Sequence, residues 1–294
     1  MGNGGLGYAS CLELARHGAK VYMASRTESR AKSAISKIKE EVPEAQIEFL
    51  YFDLTILSSA KKAAIEFMKN ENRLDILMNN AGVCMTPYEL SPDGIDLQAC
   101  NCTGHFALTI ELLPILKKTS SLPDSHVRVV NVSSLGHISA SKPDFSSLES
   151  LNLKSSSGWA RYKMSKLCNL LFNNELQKRL EDTNIICLAV HPGVVYTGLG
   201  DHLLPSQTQP ESLSSASDPL INLLISDSKQ GAQTQLYAAT SPEIETKNLR
   251  GAYLVPYGQL GRKSRYAQDA DGKLGRALWV LCEKLLADEE KRKY

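Results

Sequence analysis

The sequence holds no CxxC pair, no apolar run approaching the ~18 residues of a membrane span and no signal-peptide pattern. Net charge is nearly absent too: 33 Lys and Arg against 32 Asp and Glu leave +1. The first absence removes a cysteine-rich zinc or redox centre, and the second removes a spanning helix. Balanced charge gives no reason to expect a nucleic-acid or anionic-membrane partner. No internal repeat and no linker between two domains can be found. The seven cysteines (Cys11, Cys84, Cys100, Cys102, Cys168, Cys187 and Cys282) are odd in number and mostly set in apolar stretches. They read as buried free thiols in a reducing, cytoplasmic compartment, with Cys102 a packing residue rather than a redox one. His105, His137 and His191 lack metal-ligand spacing, so they read as loop or packing residues and no metal site is expected.

What is present is a regular alternation. With 294 residues, 43% of them hydrophobic, the chain can bury a large core without staples. Short apolar strands are expected at 19–25, 46–52, 74–80, 126–134, 184–190 and 251–256. Helical patterns lie between and after them at 28–41, 58–70, 101–118, 158–182 and 275–290. Nearly continuous apolar strands separated by helices predict an α/β fold: a Rossmann-like, doubly wound parallel sheet covered on both faces. Residues 1–294 are read as one domain. Two irregular stretches follow strands, and the loops near 135–158 and 195–228 are expected to build the substrate site. The leucines of 202–206 and 219–225 fit either a lid over an apolar substrate or packing against the sheet.

Three groups of residues carry chemistry. Gly2-Asn3-Gly4-Gly5-Leu6-Gly7 runs into a helical pattern. Glycines let backbone N–H groups approach a pyrophosphate, and the positive helix end attracts it. Alone this is weak, since Gly-rich turns often only cap helices. Ser25 and Arg26 end the next strand, where a carboxylate would favour NAD; a guanidinium forks onto phosphate and favours NADP. Tyr162 and Lys166 stand four residues apart on one helix face. A buried, cation-flanked phenol there is expected to give up its proton near neutral pH, with Lys166 supplying the charge. Asn131-Val132-Ser133-Ser134 ends the preceding strand at the ligand edge, where a serine hydroxyl can hold a reacting carbonyl oxygen.

Asn79-Asn80-Ala81-Gly82, Asn101, Ser133-Ser134, Tyr162-x-x-x-Lys166 and His191-Pro192-Gly193 stand in the order of the short-chain dehydrogenases/reductases, and together the motifs cover most of residues 1–197. The sequence resembles that family. NCTGHFALT around Asn101, the long Ser134-to-Tyr162 spacing and YKMSKLCNLLF are similar to the branch of retinol dehydrogenases, WW-domain oxidoreductases and their fungal relatives. The resemblance implies an oxidoreductase with Tyr162 as general acid or base, Lys166 lowering its pKa and holding ribose hydroxyls, and Ser134 polarising the substrate oxygen. It implies that Asn101 kinks its helix and supports a water relay to Lys166. It also implies a cofactor cradle of Gly5, Leu6, Gly7, Arg26, Asp53, Leu54, Asn80, Ala81, Gly82, Pro192, Gly193, Val195 and Thr197, together with Tyr162 and Lys166.

The resulting expectation is an NADP(H)-dependent carbonyl reductase acting on a small apolar aldehyde, ketone or alcohol, with a homo-oligomer suggested by analogy. One anomaly opposes it. On the family register Met1 falls where the first loop glycine stands, and the apolar strand and Thr-Gly that come before it are not in this sequence. That strand would be central in a 3-2-1-4-5-6 sheet, so its loss would leave two buried strand edges unpaired. The rival expectation is therefore a non-catalytic or cofactor-weak binding or scaffold protein on the same fold.

Overall fold

A computed structural model of the chain describes residues 2–154, 156–195, 225–226 and 228–291. The first 132 residues run α1 (Gly5–Arg16), β1 (Val21–Ser25), α2 (Glu28–Glu41), β2 (Ile47–Tyr51), α3 (Leu57–Asn70), β3 (Ile76–Asn79), α4 (Cys100–Ser120) and β4 (Arg128–Val132). Next come a short helix α5 (Leu148–Asn152), the long α6 (Gly158–Arg179) and β5 (Ile186–Val190). The two-residue strands β6 (Val194–Val195) and β7 (Ile225–Ser226) follow, then α7 (Ser228–Thr240), α8 (Glu243–Thr246), β8 (Tyr253–Val255), β9 (Gln259–Leu260), α9 (Arg265–Gln268) and α10 (Lys273–Lys291).

Local sequence explains the main elements. Every residue of β4 (RVVNV) and β5 (ICLAV) is buried, as expected of strands covered on both faces. Helix α2 is charged outward and buries Ala31, Ala34 and Ile38 on a single stripe. Helix α6 starts at Ser157, whose hydroxyl accepts the Ala160 N–H as an N-cap. The largest core cluster joins α3, α4, α6 and α10 to one sheet face through Phe106, Leu116, Leu167, Leu171 and Trp279. On the other face, α7 covers β4, β5 and β8. Glycine is required at Gly104, inside α4: a Cβ there would stand 2.3 Å from the Leu54 carbonyl oxygen. The helix bearing Asn101 thus packs directly on the loop after β2.

The expected sheet is divided. Strands β3, β4, β5 and β8 run parallel, with β9 antiparallel at the edge, in the order β3-β4-β5-β8-β9. Strands β1 and β2 form a separate parallel pair, as do β6 and β7. Among the described residues β1 pairs only with β2, and β3 only with β4. Between the free edges of β1 and β3 lies a cavity of about 550 Å³, lined by Met23, Leu77, Met78, Leu108 and Leu112 among others. One weak backbone bond, Gly2 N–H to Ala24 O at 3.4 Å, closes its rim. The slot stands where the central first strand was expected, and it separates the α1–β2 unit from the sheet that carries the catalytic candidates.

Candidate active site

The carboxyl end of β4 is stitched to α6. Ser133 donates its hydroxyl to the Lys166 carbonyl at 2.8 Å, and its N–H to Val190 O at 2.7 Å. Lys166 Nζ and Asn169 Nδ2 both donate to Val132 O, at 3.0 and 2.9 Å. Below them Asn79 donates to Asn131 at 2.9 Å, and Asn131 donates to Asn173 at 3.0 Å. That buried amide ladder ties β3, β4 and α6 into one rigid support. Ser134 leaves the strand in extended conformation, and its Oγ accepts the Gly136 N–H at 3.1 Å. Its own proton is thereby free to point elsewhere, and the Tyr162 ring lies close by: a Cβ on Gly136 would stand 3.6 Å from Ser134 Oγ and 3.7 Å from a Tyr162 ring carbon. Tyr162 and Lys166 are both buried, with Lys166 Nζ 5.7 Å from the Tyr162 ring centroid.

Asn101 is fully buried, but it lies in the first turn of α4 and not at an interior kink, which corrects that expectation. Its amide accepts the Val83 N–H at 2.8 Å and donates to Val83 O and to Ser165 Oγ. It therefore fixes the loop after β3, where Asn80, Ala81 and Gly82 sit half-buried.

The phenol does not have the expected electrostatics. Burial pushes Tyr162 up to about 12, with the nearby Cys84 thiol adding to the rise and the Ser134 bond opposing it. Burial brings Lys166 down to about 8. Desolvation disfavours whichever form is charged, so a buried phenol keeps its proton; the sequence reading had the sign of this effect reversed. A phenol that keeps its proton is a donor and not a base.

On the cofactor side, Gly5, Leu6 and Gly7 form the first turn of α1, whose N-cap is Gly4 with no side-chain cap. Their N–H groups are the unpartnered donors of a helix start. Arg26 is exposed just past β1 and makes no ion pair among the described residues. Asp53 is half-buried, with Oδ1 accepting from the Thr55 N–H and hydroxyl, and Leu54 is half-buried beside it. Pro192 and Gly193 follow β5. Val195 is placed by its backbone in β6, whereas Thr197 and the leucine-rich 202–206 and 219–224 lie outside the described residues. Gln235 on α7 is an addition that no motif announced. Fully buried, it donates to Ser10 Oγ and to Asn80 Oδ1, while its Oε1 has no partner. His191 Nδ1 is another buried atom without a partner at this edge. Free amides, an unpaired guanidinium and orphaned polar atoms fit a dinucleotide. Among the described residues no group of three or more His, Cys, Asp or Glu is placed to hold a metal.

The three histidines that the sequence read as packing residues are buried. His105 Nδ1 bonds to Asn101 O at 2.8 Å, and burial brings its pKa down to about 3. His191 falls to about 4 and His137 also falls, in both cases mainly through burial. Each is depressed relative to an unfolded value near 6.5, so the unfolded chain binds more protons in that window. Stability is fully present above pH ~6.5 and is lost as pH falls toward 4. The slope approaches about 1.4 kcal/mol per pH unit for each histidine. Raised carboxyls at Asp96 and Glu111 oppose this only at the acid end. Urea titrations at pH 7.5, 6, 5 and 4.5 should show ΔG dropping steeply below pH 6; a flat profile would contradict neutral burial.

The fold and site define a class, an α/β dinucleotide-type oxidoreductase with a Ser-Tyr-Lys constellation on the sheet's carboxyl edge. The short chain dehydrogenase family profile matches residues 2–142. An uncharacterized oxidoreductase of Schizosaccharomyces pombe is 38% identical over 274 residues, covering 91% of this chain and 78% of that protein. Retinol dehydrogenase 14 of Mus musculus is 35% identical, covering 96% and 82%. A crystal structure of a Mycobacterium paratuberculosis protein superposes with a TM-score of 0.71 at 33% identity, covering 97% and 90%. The chain belongs to the short-chain dehydrogenase/reductase family. Within it, the chain falls in the retinol dehydrogenase-like, fungal-like branch, and members of the family use nicotinamide cofactors. No described helix is long and apolar enough to cross a membrane.

Proposed function

We propose that the protein is an NADP(H)-dependent oxidoreductase that reduces apolar aldehydes or ketones to alcohols. The observation that carries this is a buried Tyr162 beside Ser134 at the carboxyl end of β4, with Lys166 on the same helix face. NADPH supplies the hydride when bound. Ser134 and Tyr162 both present a hydroxyl to the carbonyl oxygen; Ser134 orients it and Tyr162 gives the proton as negative charge develops. The Lys166 ammonium, held by Val132 O, stabilises the phenolate left behind and offers its remaining donors to ribose hydroxyls. Gly5, Leu6 and Gly7 would hold pyrophosphate, Arg26 the 2′-phosphate, Asp53 and Leu54 the adenine. Asn80, Ala81 and Gly82 would line the cofactor, with Pro192, Gly193, Val195 and Thr197 at the nicotinamide end. Exposed Leu135 and Ile138 and the ring of Trp159, stacked on Tyr162 at 5.5 Å between centroids, give the entrance an apolar character. This favours an apolar carbonyl substrate. The free thiols suit a reducing compartment, and we place the protein in the cytoplasm.

Titration with NADPH followed by turnover of apolar aldehydes tests this reading: micromolar binding with turnover supports it, and binding without any turnover refutes it. Arg26→Asp should reverse the preference toward NADH, lowering the NADPH:NADH ratio of kcat/KM by about 10- to 100-fold, since a guanidinium–phosphate pair is exchanged for repulsion. An unchanged ratio would remove Arg26 from the cofactor site. A second reading is a cofactor-weak scaffold, since among the described residues β1 and β3 do not pair with each other; absence of NADPH binding would support it.

A further inference from the structure

A buried polar cluster that no catalytic motif accounts for lies one residue before Tyr162. Arg161 and Asp96 are 5% and 1% exposed, with Nε 3.2 Å from Oδ2. Asp96 Oδ1 accepts the Gln98 and Ala99 N–H groups, which fixes the turn leading into α4. Arg161 donates to Ser156 O and, at 2.8 Å, to Thr86 O. Gln98, fully buried, accepts the Met85 N–H at 2.8 Å and donates to Gly158 O at 2.9 Å. Met85 itself is held at φ +55°, a left-handed conformation unfavourable for a residue with a side chain. A Cβ on Gly158 would stand 3.2 Å from the Met85 and Thr86 carbonyl oxygens, so the loop and the first turn of α6 are in direct backbone contact.

We propose that Asp96, Gln98 and Arg161 are positioning residues for the reduction: they clamp loop 83–86 against the first turn of α6 and so set where Tyr162 stands relative to Asn101 and the cofactor loop. The inference rests on the oxidoreductase reading. The geometry supports it in two ways. Asn101 in the first turn of α4 and Gln98 in the turn just before it hold Val83 and Met85, so one stretch of chain dictates the path of the loop away from Gly82. Arg161 and Gly158 then connect that loop to the helix bearing the phenol. A buried ion pair is poor value as stabilisation, because desolvating both charges offsets most of their attraction. Arg161 Nε and Asp96 Oδ2 face each other without a hydrogen bond, but the bonds from Arg161 to Ser156 O and Thr86 O fix one register of loop against helix, and small displacements of a reacting group are costly in rate.

The test compares Arg161→Met, Arg161→Lys and Gln98→Met with the unmodified chain. Gln98→Met removes two hydrogen bonds while leaving the ion pair, so it guards against an Arg161 variant that fails to fold. NADPH Kd should stay within about threefold while kcat at saturating aldehyde falls about tenfold or more in Arg161→Met and Gln98→Met, with partial recovery in Arg161→Lys. Hydrogen exchange in peptides spanning 83–88 should quicken about tenfold while β4 and β5 stay protected. Folded variants that keep kcat within twofold, or that leave exchange at 83–88 unchanged, overturn the proposal even if Tm drops. An unmodified chain that binds NADPH but turns nothing over refutes the oxidoreductase reading itself, a result distinguishable from active variants.

Discussion

Replacing Tyr162 with Phe lowers carbonyl turnover by about 10³-fold or more while NADPH Kd changes by less than about threefold. The substitution deletes one oxygen and preserves the ring that stacks on Trp159, so packing of α6 is retained. What is lost is the proton donor beside Ser134, and general acid catalysis alone contributes about 10²–10⁴ in rate. Because burial pushes Tyr162 up to about 12, it should put no alkaline limb on reduction within the ordinary working range. Ser134→Ala should act in the same direction with smaller effect, since Tyr162 remains to donate. Steady-state kinetics combined with a fluorescence titration of NADPH would decide the matter; a Phe variant with more than a tenth of the original kcat would remove Tyr162 from the chemistry.

Filling the slot between β1 and β3 raises stability and tightens cofactor binding together. An amino-terminal extension of six apolar β-formers and Thr, with Gly in place of Met1, would lie parallel between the two free edges, in a cavity of about 550 Å³ whose walls include Met23, Leu77 and Leu108. Each new ladder bond contributes about 1 kcal/mol net, and each buried aliphatic side chain about 1.5–3 kcal/mol before entropy is charged against it. A net gain of several kcal/mol corresponds to a Tm increase of about 10 °C or more at this chain length. The same strand would support the turn ahead of Gly5, so NADPH Kd should fall about tenfold. An extended chain whose Tm and Kd match those of the original would show that the slot does not accept a strand.

The major elements were readable because each one writes its period into the chain. ESRAKSAISKIKEE spaces Ala31, Ala34 and Ile38 for one helical face, and the helix spans Glu28–Glu41 as expected. ICLAV and RVVNV are apolar throughout, which marks central parallel strands. The two-residue strands β6, β7 and β9 and the helix α7 were not read from the sequence. Pairs that short have no period, and α7 is an Ala- and Gln-containing stretch whose burial comes from contact with α1 and β4. Of the catalytic candidates, the four-residue spacing of Tyr162 and Lys166 shows in the chain because a helix imposes it. Their meeting with Ser134 depends on β4 and α6 being stitched at Val132, a contact between residues over thirty positions apart.

By itself the sequence determined the alternation of strands and helices, the family, and which residue types could carry a proton and hold a phosphate. Tertiary structure alone decided three matters. It divided the sheet into two bodies flanking a slot, because backbone edges pair only with what lies beside them. It reversed the expected effect on Tyr162, because desolvation depends on what surrounds a group and not on its neighbours in sequence. It also brought Asp96, Gln98 and Arg161 together at the start of α6, because buried polar groups must find partners wherever the fold places them.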